Sequence, residues 1–452
     1  MKCRSFLLCA VLVTTCSERV AHGQEADASD HANVKMLLYD VQGKSEKQLS
    51  PYGTIQGSKT TFSDIYVRGS SPEQEKRLLE GGQNPAWSSD GKKIAFIGFQ
   101  WVAIAQDRTP VGPPSDIACY EPGATCRLTI QGPNYIGASL LAARQIEVMN
   151  PDGSGKRRIT NIPNGVWDFA WSPTEQKIVY CEIRADERSA IVVINADGSG
   201  RTEVTKTGEV RCAVGMPVIQ NAVVSQQGLE FSNSRSGKTL IQIASGHGSS
   251  MVSSEKGELI GAPTVDWSPD GTRIAFTSVL GGKPVVAIVG AKEKKPRPIV
   301  NGYAPRWSPD GRQLLFLHDS EGKPGSTSLC IVNADGSQPR KIVDDESADY
   351  GMAWSPDGRS VVFGSARGKK SESEIFQVRA DGTGLMQVAG QNKFFLSSPV
   401  FSPDGSKLIF ESRCADPTQQ SSEDFGIWML DVGSSRQERL AKGSHASVVW
   451  TR

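Results

Sequence analysis

Short apolar runs, each about one strand long, are spaced along the chain and separated by turns rich in Pro, Asp, Asn and Gly. Six of these runs share a pattern: Ile94-Ala-Phe96, Ile178-Val-Tyr180, Ile274-Ala-Phe276, Leu314-Leu-Phe316, Val361-Val-Phe363 and Leu408-Ile-Phe410. A compact motif precedes each run. Trp267-Ser-Pro-Asp-Gly271 recurs at Trp307 and Trp354, with Phe in place of Trp at Phe401, and in weaker form at Trp87 and Trp171. Proline presets φ for a turn, aspartate bonds its own backbone, and glycine supplies the positive-φ position. A second strand-and-turn element follows, seen in Ile146 to Gly153, Ile191 to Gly198, Leu329 to Gly336 and Ile375 to Gly382, and more loosely in Ile427 to Gly433. The repeating unit is therefore strand, turn, strand, loop, strand, turn, strand. Its apolar runs do not alternate cleanly, which predicts sheets covered on both faces.

A four-stranded sheet with two apolar faces cannot stand alone, whereas a circle of such sheets covers every face. The expected fold is all-β: a closed β-propeller of four-stranded blades. Successive motifs begin 84, 96, 40, 47 and 47 residues apart. The 96-residue gap spans two periods and predicts a degenerate blade between Val214 and Ser254, with Leu229-Glu-Phe231 and Leu240-Ile-Gln-Ile243 as its middle strands. The 84-residue gap predicts one blade carrying a loop insertion over about 100–143. Ser447-Val-Val-Trp450 reads as a lone first strand. Met36 to Tyr39, Asp64 to Val67 and Lys76 to Leu79 supply the rest of its sheet, a composite closing blade made from both termini. Eight blades are expected; six or seven follow if the degenerate unit or part of the N-terminal region is decoration.

Residues 1–23 read as a signal peptide: Lys2 and Arg4, an apolar run from Phe6 to Val13, and small residues Ala21 and Gly23 before the cut. Lipoprotein processing at Cys16 is the alternative. Residues 24–35 are expected to be a flexible segment and 36–452 a single propeller domain. No other stretch is long and apolar enough for a membrane helix. The mature protein is thus expected in the periplasm or outside the cell, as a monomer. Of the cysteines beyond residue 23, Cys119 and Cys126 are the candidate disulfide, and Cys181 and Cys330 read as buried thiols. With 50 basic against 49 acidic residues and a formal charge of +1, no basic field exists to hold a nucleic acid.

Loop lengths single out one side of the propeller. The turn motifs keep constant length, while the loops between second and third strands vary, and repeat proteins bind where insertions collect. Candidate contact residues are Trp101, Arg108, Tyr120 and Tyr135 in the insertion, with Arg184, Arg188, His318, Lys369, Lys370 and Arg413 in other loops. Asp168, Asp266, Arg306 and Tyr350 precede first strands and are expected near the axis. No Gly-x-Ser-x-Gly elbow, Walker loop, dinucleotide fingerprint or zinc-type doublet occurs, so neither catalytic residue, metal nor cofactor is assigned.

With the Trp-Ser-Pro-Asp-Gly and Asn-Ala-Asp-Gly elements in hand, the chain resembles the TolB-like, WD40-like propeller group, most strongly from Trp267 to Asp431. The resemblance implies a non-catalytic, exported scaffold that binds a protein of the cell envelope. It covers the propeller part only, without the α/β domain that precedes it in TolB. A propeller enzyme acting on polysaccharide, or a glycan- or small-molecule-binding module, remains the alternative. A metal held by His318 or His445 at the channel mouth would favour the enzyme.

Overall fold

The computed structural model describes residues 34–42, 63–104, 110–112, 116–118, 127–129, 139–163, 165–183, 189–205, 222–225, 228–231, 239–240, 251–253, 259–261, 264–280, 283–319, 327–344, 349–367, 372–390, 394–414 and 425–450. No α-helix occurs among them, and seven sheets have the four-strand antiparallel order of a blade. We number the blades from the composite one. Blade 1 is Ser444–Trp450, Val34–Gln42, Ser63–Arg68 and Lys76–Leu79. The first strands of blades 2 to 7 are Gln83–Trp87, Val166–Trp171, Val265–Trp267, Tyr303–Trp307, Asp349–Trp354 and Phe394–Phe401. First strands of successive blades approach one another from blade 1 round to blade 7, which makes them the inner strands.

Seven apolar clusters hold the blades together, and each lies between two neighbours. Ala95, Ile97, Ile146 and Val148 of blade 2 meet Ile178, Tyr180 and Val192 of blade 3. Leu315, Leu329 and Ile331 of blade 5 meet Trp354, Val361 and Phe363 of blade 6. Blade 1 is covered on both faces as well, by Trp87, Ile94 and Phe96 of blade 2 and by Ile409, Ile427 and Met429 of blade 7. Consecutive residues of a strand serve opposite interfaces, as Ala275 and Phe276 do. That is the physical reason the apolar runs carry no polar alternation.

Trp87, Trp267, Trp307 and Trp354 are buried between blades. The indole N–H groups of Trp171, Trp267 and Trp354 donate to carbonyls of the preceding inner strand, at Ala86, Ala170 and Arg306. Within the turns that carry Asp-Gly, the buried serine does what proline and glycine cannot. Ser308 Oγ donates to Asp310 Oδ1 at 2.7 Å and accepts the Gln313 N–H at 2.9 Å, while Gly311 N–H returns to Ser308 O. The same bonds recur at Ser88, Ser268, Ser355 and Ser402. Further out, Arg157, Arg297 and Arg340 each reach into the next blade to bond the carbonyl of Ala196, Ala334 or Ala380.

Two expectations change. The blade count is seven, not eight, because blade 3 packs directly on blade 4: Val179, Cys181 and Val193 meet Trp267, Ile274 and Phe276 in one cluster. No slot is left between them for the degenerate unit. The described backbone of that unit forms a three-stranded sheet, Ala222–Ser225, Gly228–Phe231 and Thr239–Leu240, and a separate pair, Met251–Ser253 with Leu259–Gly261. The insertion over 100–143 also does not start as a loop. The second and third strands of blade 2, Ile94–Ile104 and Ser139–Met149, pair without interruption from Ile94↔Met149 to Ile104↔Ser139. Pro110–Gly112 pairs with the far end of the second strand, and Asp116–Ala118 and Arg127–Thr129 form a separate two-stranded sheet. Cys181 and Cys330 are buried, as expected; Cys119, Cys126 and residues 1–33 lie outside the described residues.

Gly302 enters the inner strand of blade 5 at φ +142°, and a Cβ there would sit 2.5 Å from a Phe316 ring carbon and 2.6 Å from Leu317 O. Gly302→Ala should therefore destabilise the fold by about 2 kcal/mol or more, measured by chemical unfolding. A change under about 0.5 kcal/mol would contradict this packing.

Candidate functional site

Six of the seven inner strands bulge about three residues before the Trp-equivalent position, where the sequence reads Asn84, Asp168, Ala304, Gly351, Ser398 and, in the composite blade, His445; the equivalent residue of blade 4, Thr264, precedes a strand that pairs without a shift. Asn84, Ala304, Gly351, Ser398 and His445 adopt φ between 50° and 56° there. The bulge frees backbone N–H groups, which neighbouring blades cap with side chains. Asn84 N–H donates to Asp40 Oδ2 at 2.8 Å, Ala304 N–H to Thr277 Oγ1 at 3.0 Å, and Ala446 N–H to Glu411 Oε1 at 3.0 Å. One residue before the Trp-equivalent position, Ser447 accepts the Trp87 N–H and Asp266 accepts the Trp307 N–H. Polar side chains collect on the inner strands because these edge groups need partners.

Two charged groups result. In the first, Asp168 of blade 3, Asp266 of blade 4 and Arg306 of blade 5 interact electrostatically, with Arg144 of blade 2 adding to Asp168. Burial, helped by the Asp168 carboxylate, pushes Asp266 up to about 6 against the pull of Arg306 and the Trp307 N–H. Burial raises Asp168 as well, opposed by Arg306 and Arg144. The turn aspartates behave oppositely: the Ser268 hydroxyl and Thr272 amide hold Asp270 down to about 2. In the second group, His445 Nδ1 lies 2.7 Å from Asp40 Oδ2, with Ser444 Oγ 2.9 Å from Asp40 Oδ1 and Glu411 alongside.

Asp168, Asp266 and Arg306, expected near the axis from their sequence positions, thus come together. Tyr350 is on the inner strand of blade 6, opposite Gly364. His318 and Arg413 sit on second strands, opposite Ser328 and Phe395, away from this cluster in the chain's pairing. The half-buried His318 ring leaves Nδ1 without a hydrogen-bond partner. Trp101 lies on the extended strand of blade 2, opposite Ala142. Arg108, Tyr120, Tyr135, Arg184, Arg188, Lys369 and Lys370 lie outside the described residues. Sequence reasoning missed Asp40, Glu411 and Arg144. Aligning the bulge position across all seven units would have placed His445 beside Asp168, but the carboxylates facing it come from other blades. Among the described residues no His, Cys, Asp and Glu side chains are grouped to hold a metal.

A seven-bladed β-propeller with a polar set of inner strands is the class that this architecture defines. Residues 232–448 match the family model of the TolB beta propeller domain. The chain is similar to a prolyl endopeptidase (14% identity, 93% of this chain and 52% of that one, TM-score 0.50). It is also similar to TolB from Acinetobacter baumannii (13% identity, 94% and 86%, TM-score 0.41) and to an oligogalacturonate lyase from Vibrio parahaemolyticus (12% identity, 91% and 86%, TM-score 0.49). No curated protein matches the chain.

Because Asp266 binds a proton more tightly folded than unfolded, its contribution to stability is present at low pH. It is lost as pH rises from about 4 to about 6. Relative to Asp266→Asn, the wild type should lose roughly 1–2 kcal/mol across that window. Urea unfolding of both proteins against pH checks this, and parallel curves would contradict it.

Proposed function

We propose that this protein is a non-catalytic, exported scaffold of the cell envelope. Its seven blades form a closed ring that binds a partner protein on the side where the loops between second and third strands emerge. The observation that carries the reading is the ribbon of blade 2. Its ladder runs six rungs, from Phe99↔Arg144 to Ile104↔Ser139, past the position where the corresponding ladders of blades 6 and 7 stop. The corresponding ladder of blade 6 ends at Ser365↔Glu374 and that of blade 7 at Ser412↔Gly426. A paired ribbon is stiffer than a loop of equal length, so it presents a contact surface at low entropic cost.

The inner charges support a binding role over a catalytic one. Asp168 and Asp266 share the field of Arg306, and His445 Nδ1 lies 2.7 Å from Asp40 Oδ2. On this reading Trp101 and the insertion residues Arg108, Tyr120 and Tyr135 meet the partner. Arg306 and the acids beside it face the mouth of the channel. The reading of residues 1–23 as a signal peptide places the scaffold in the periplasm or outside the cell.

Replacing residues 101–142 with a short Gly-Ser turn should abolish capture of the partner from envelope extract and leave thermal unfolding unchanged within a few degrees, about the shift of a 1 kcal/mol perturbation or less. Capture that survives the replacement would refute the assignment of the ribbon.

A further inference from the structure

Inner strands of blades 2 to 7 each run into a Ser-Pro or Ser-Ser turn that ties them covalently to their second strand. Ser444–Trp450 has no such tie. Its second strand is Val34–Gln42, and the pair Asp40↔Ser444 joins residues 404 apart. The ladder between them is irregular in two places, between Val34 and Met36 and between Leu38 and Asp40. Ala446 to Trp450 are only half-buried, whereas Tyr303, Ala304, Pro305 and Trp307 of blade 5 are buried. This inner strand is therefore held less firmly than that of blade 5, and polar anchors at its start make up the difference. They are His445 on Asp40, Ser444 on Asp40, Ala446 N–H on Glu411 and Trp87 N–H on Ser447 Oγ at 3.1 Å. Asp40 is fully buried, and Glu411 and His445 are each 7% exposed.

We propose that His445, clasped between Asp40 and Glu411, is a latch that governs when the inner strand Ser444–Trp450 leaves its sheet, so that this strand opens as a unit while the other inner strands stay in place. Local opening of a weakly buried element ahead of global unfolding is the general behaviour of such segments. The latch draws on three blades: Asp40 belongs to blade 1 and Glu411 to blade 7, and the guanidinium of Arg144 in blade 2 opposes them. Burial alone would lower the imidazole, but the two carboxylates outweigh it and hold His445 up to about 9. With the folded value above the unfolded one, the latch is set below about pH 6.5 and through neutrality, and it is lost as pH rises through about 9. Burial also raises Glu411, so that carboxylate starts to lose its charge on the acid side above its ordinary range.

Hydrogen exchange read by mass spectrometry on the full chain tests this, using peptides that cover Ser444–Trp450, Tyr303–Trp307 and Asp349–Trp354. In Asp40→Asn and in His445→Gln, exchange in Ser444–Trp450 should rise about tenfold or more, with the other two peptides unchanged. In the wild type, corrected for intrinsic base catalysis, protection of Ser444–Trp450 should fall between about pH 8 and about pH 10, and His445→Gln should show no such step. If all three peptides speed up together, the charged cluster serves global stability and there is no latch. If Ser444–Trp450 stays as protected as Tyr303–Trp307 in every variant, the proposal is likewise overturned.

Discussion

The fold depends on apolar contact between blades, because neither face of any blade can be left to water. Each sheet carries one set of side chains for the neighbour on one side and a second set for the neighbour on the other. Ala275 and Phe276 show the arrangement at single-residue spacing. Burying both faces leaves each blade without an independent core, so its stability resides in the interfaces. Seven clusters join the blades in succession, and the composite blade takes part in two of them on the same terms as the rest. The fully buried aromatic rings Tyr39, Phe96, Tyr180, Phe276, Phe316, Phe363 and Phe410 occupy equivalent second-strand positions, one in each blade.

Packing that satisfies the faces creates a second problem at the inner edge. Innermost strands have no further strand to pair with, and the bulge at the position of Ala304 or His445 turns additional N–H groups outward. Hydroxyls and carboxylates from adjacent blades accept these N–H groups, as Thr277 does for Ala304 and Asp266 for Trp307. Carboxylates brought together in this way are partly desolvated and crowd one another, so arginine and histidine are needed among them. The charged inner groups are thus a consequence of propeller geometry, and any binding role they have is built on that structural duty. Exposed turn aspartates such as Asp270 face no such conflict and stay ionised to low pH.

Blade-forming units were legible wherever the turn chemistry was intact. From Trp267 onward every strand pair follows the repeat, since Ser-Pro-Asp-Gly fixes the hairpin locally. Between Val214 and Ser254 the reading counted residues, not packing, and a span long enough for a blade was taken as one. The structure instead seals blade 3 against blade 4 with Val179, Cys181 and Trp267. Over 100–143 the 84-residue spacing suggested a loop insertion, yet Gln100 to Ile104 continue the ladder of their strand, because a hairpin already in register extends at little cost. Asp168, Asp266 and Arg306 were found by position in the repeat; Arg144, from a third strand, was not.

By itself the chain's order of residues determined the strands, their turns and the apolar faces that demand neighbours, because hairpins and two-residue periodicity are local properties. Tertiary structure alone decided that there are seven blades and that His445 meets Asp40 and Glu411. Those outcomes turn on which distant surfaces fill one another's space and which charges share a buried edge. Separations of up to 405 residues in the chain leave no local pattern from which such meetings could be read.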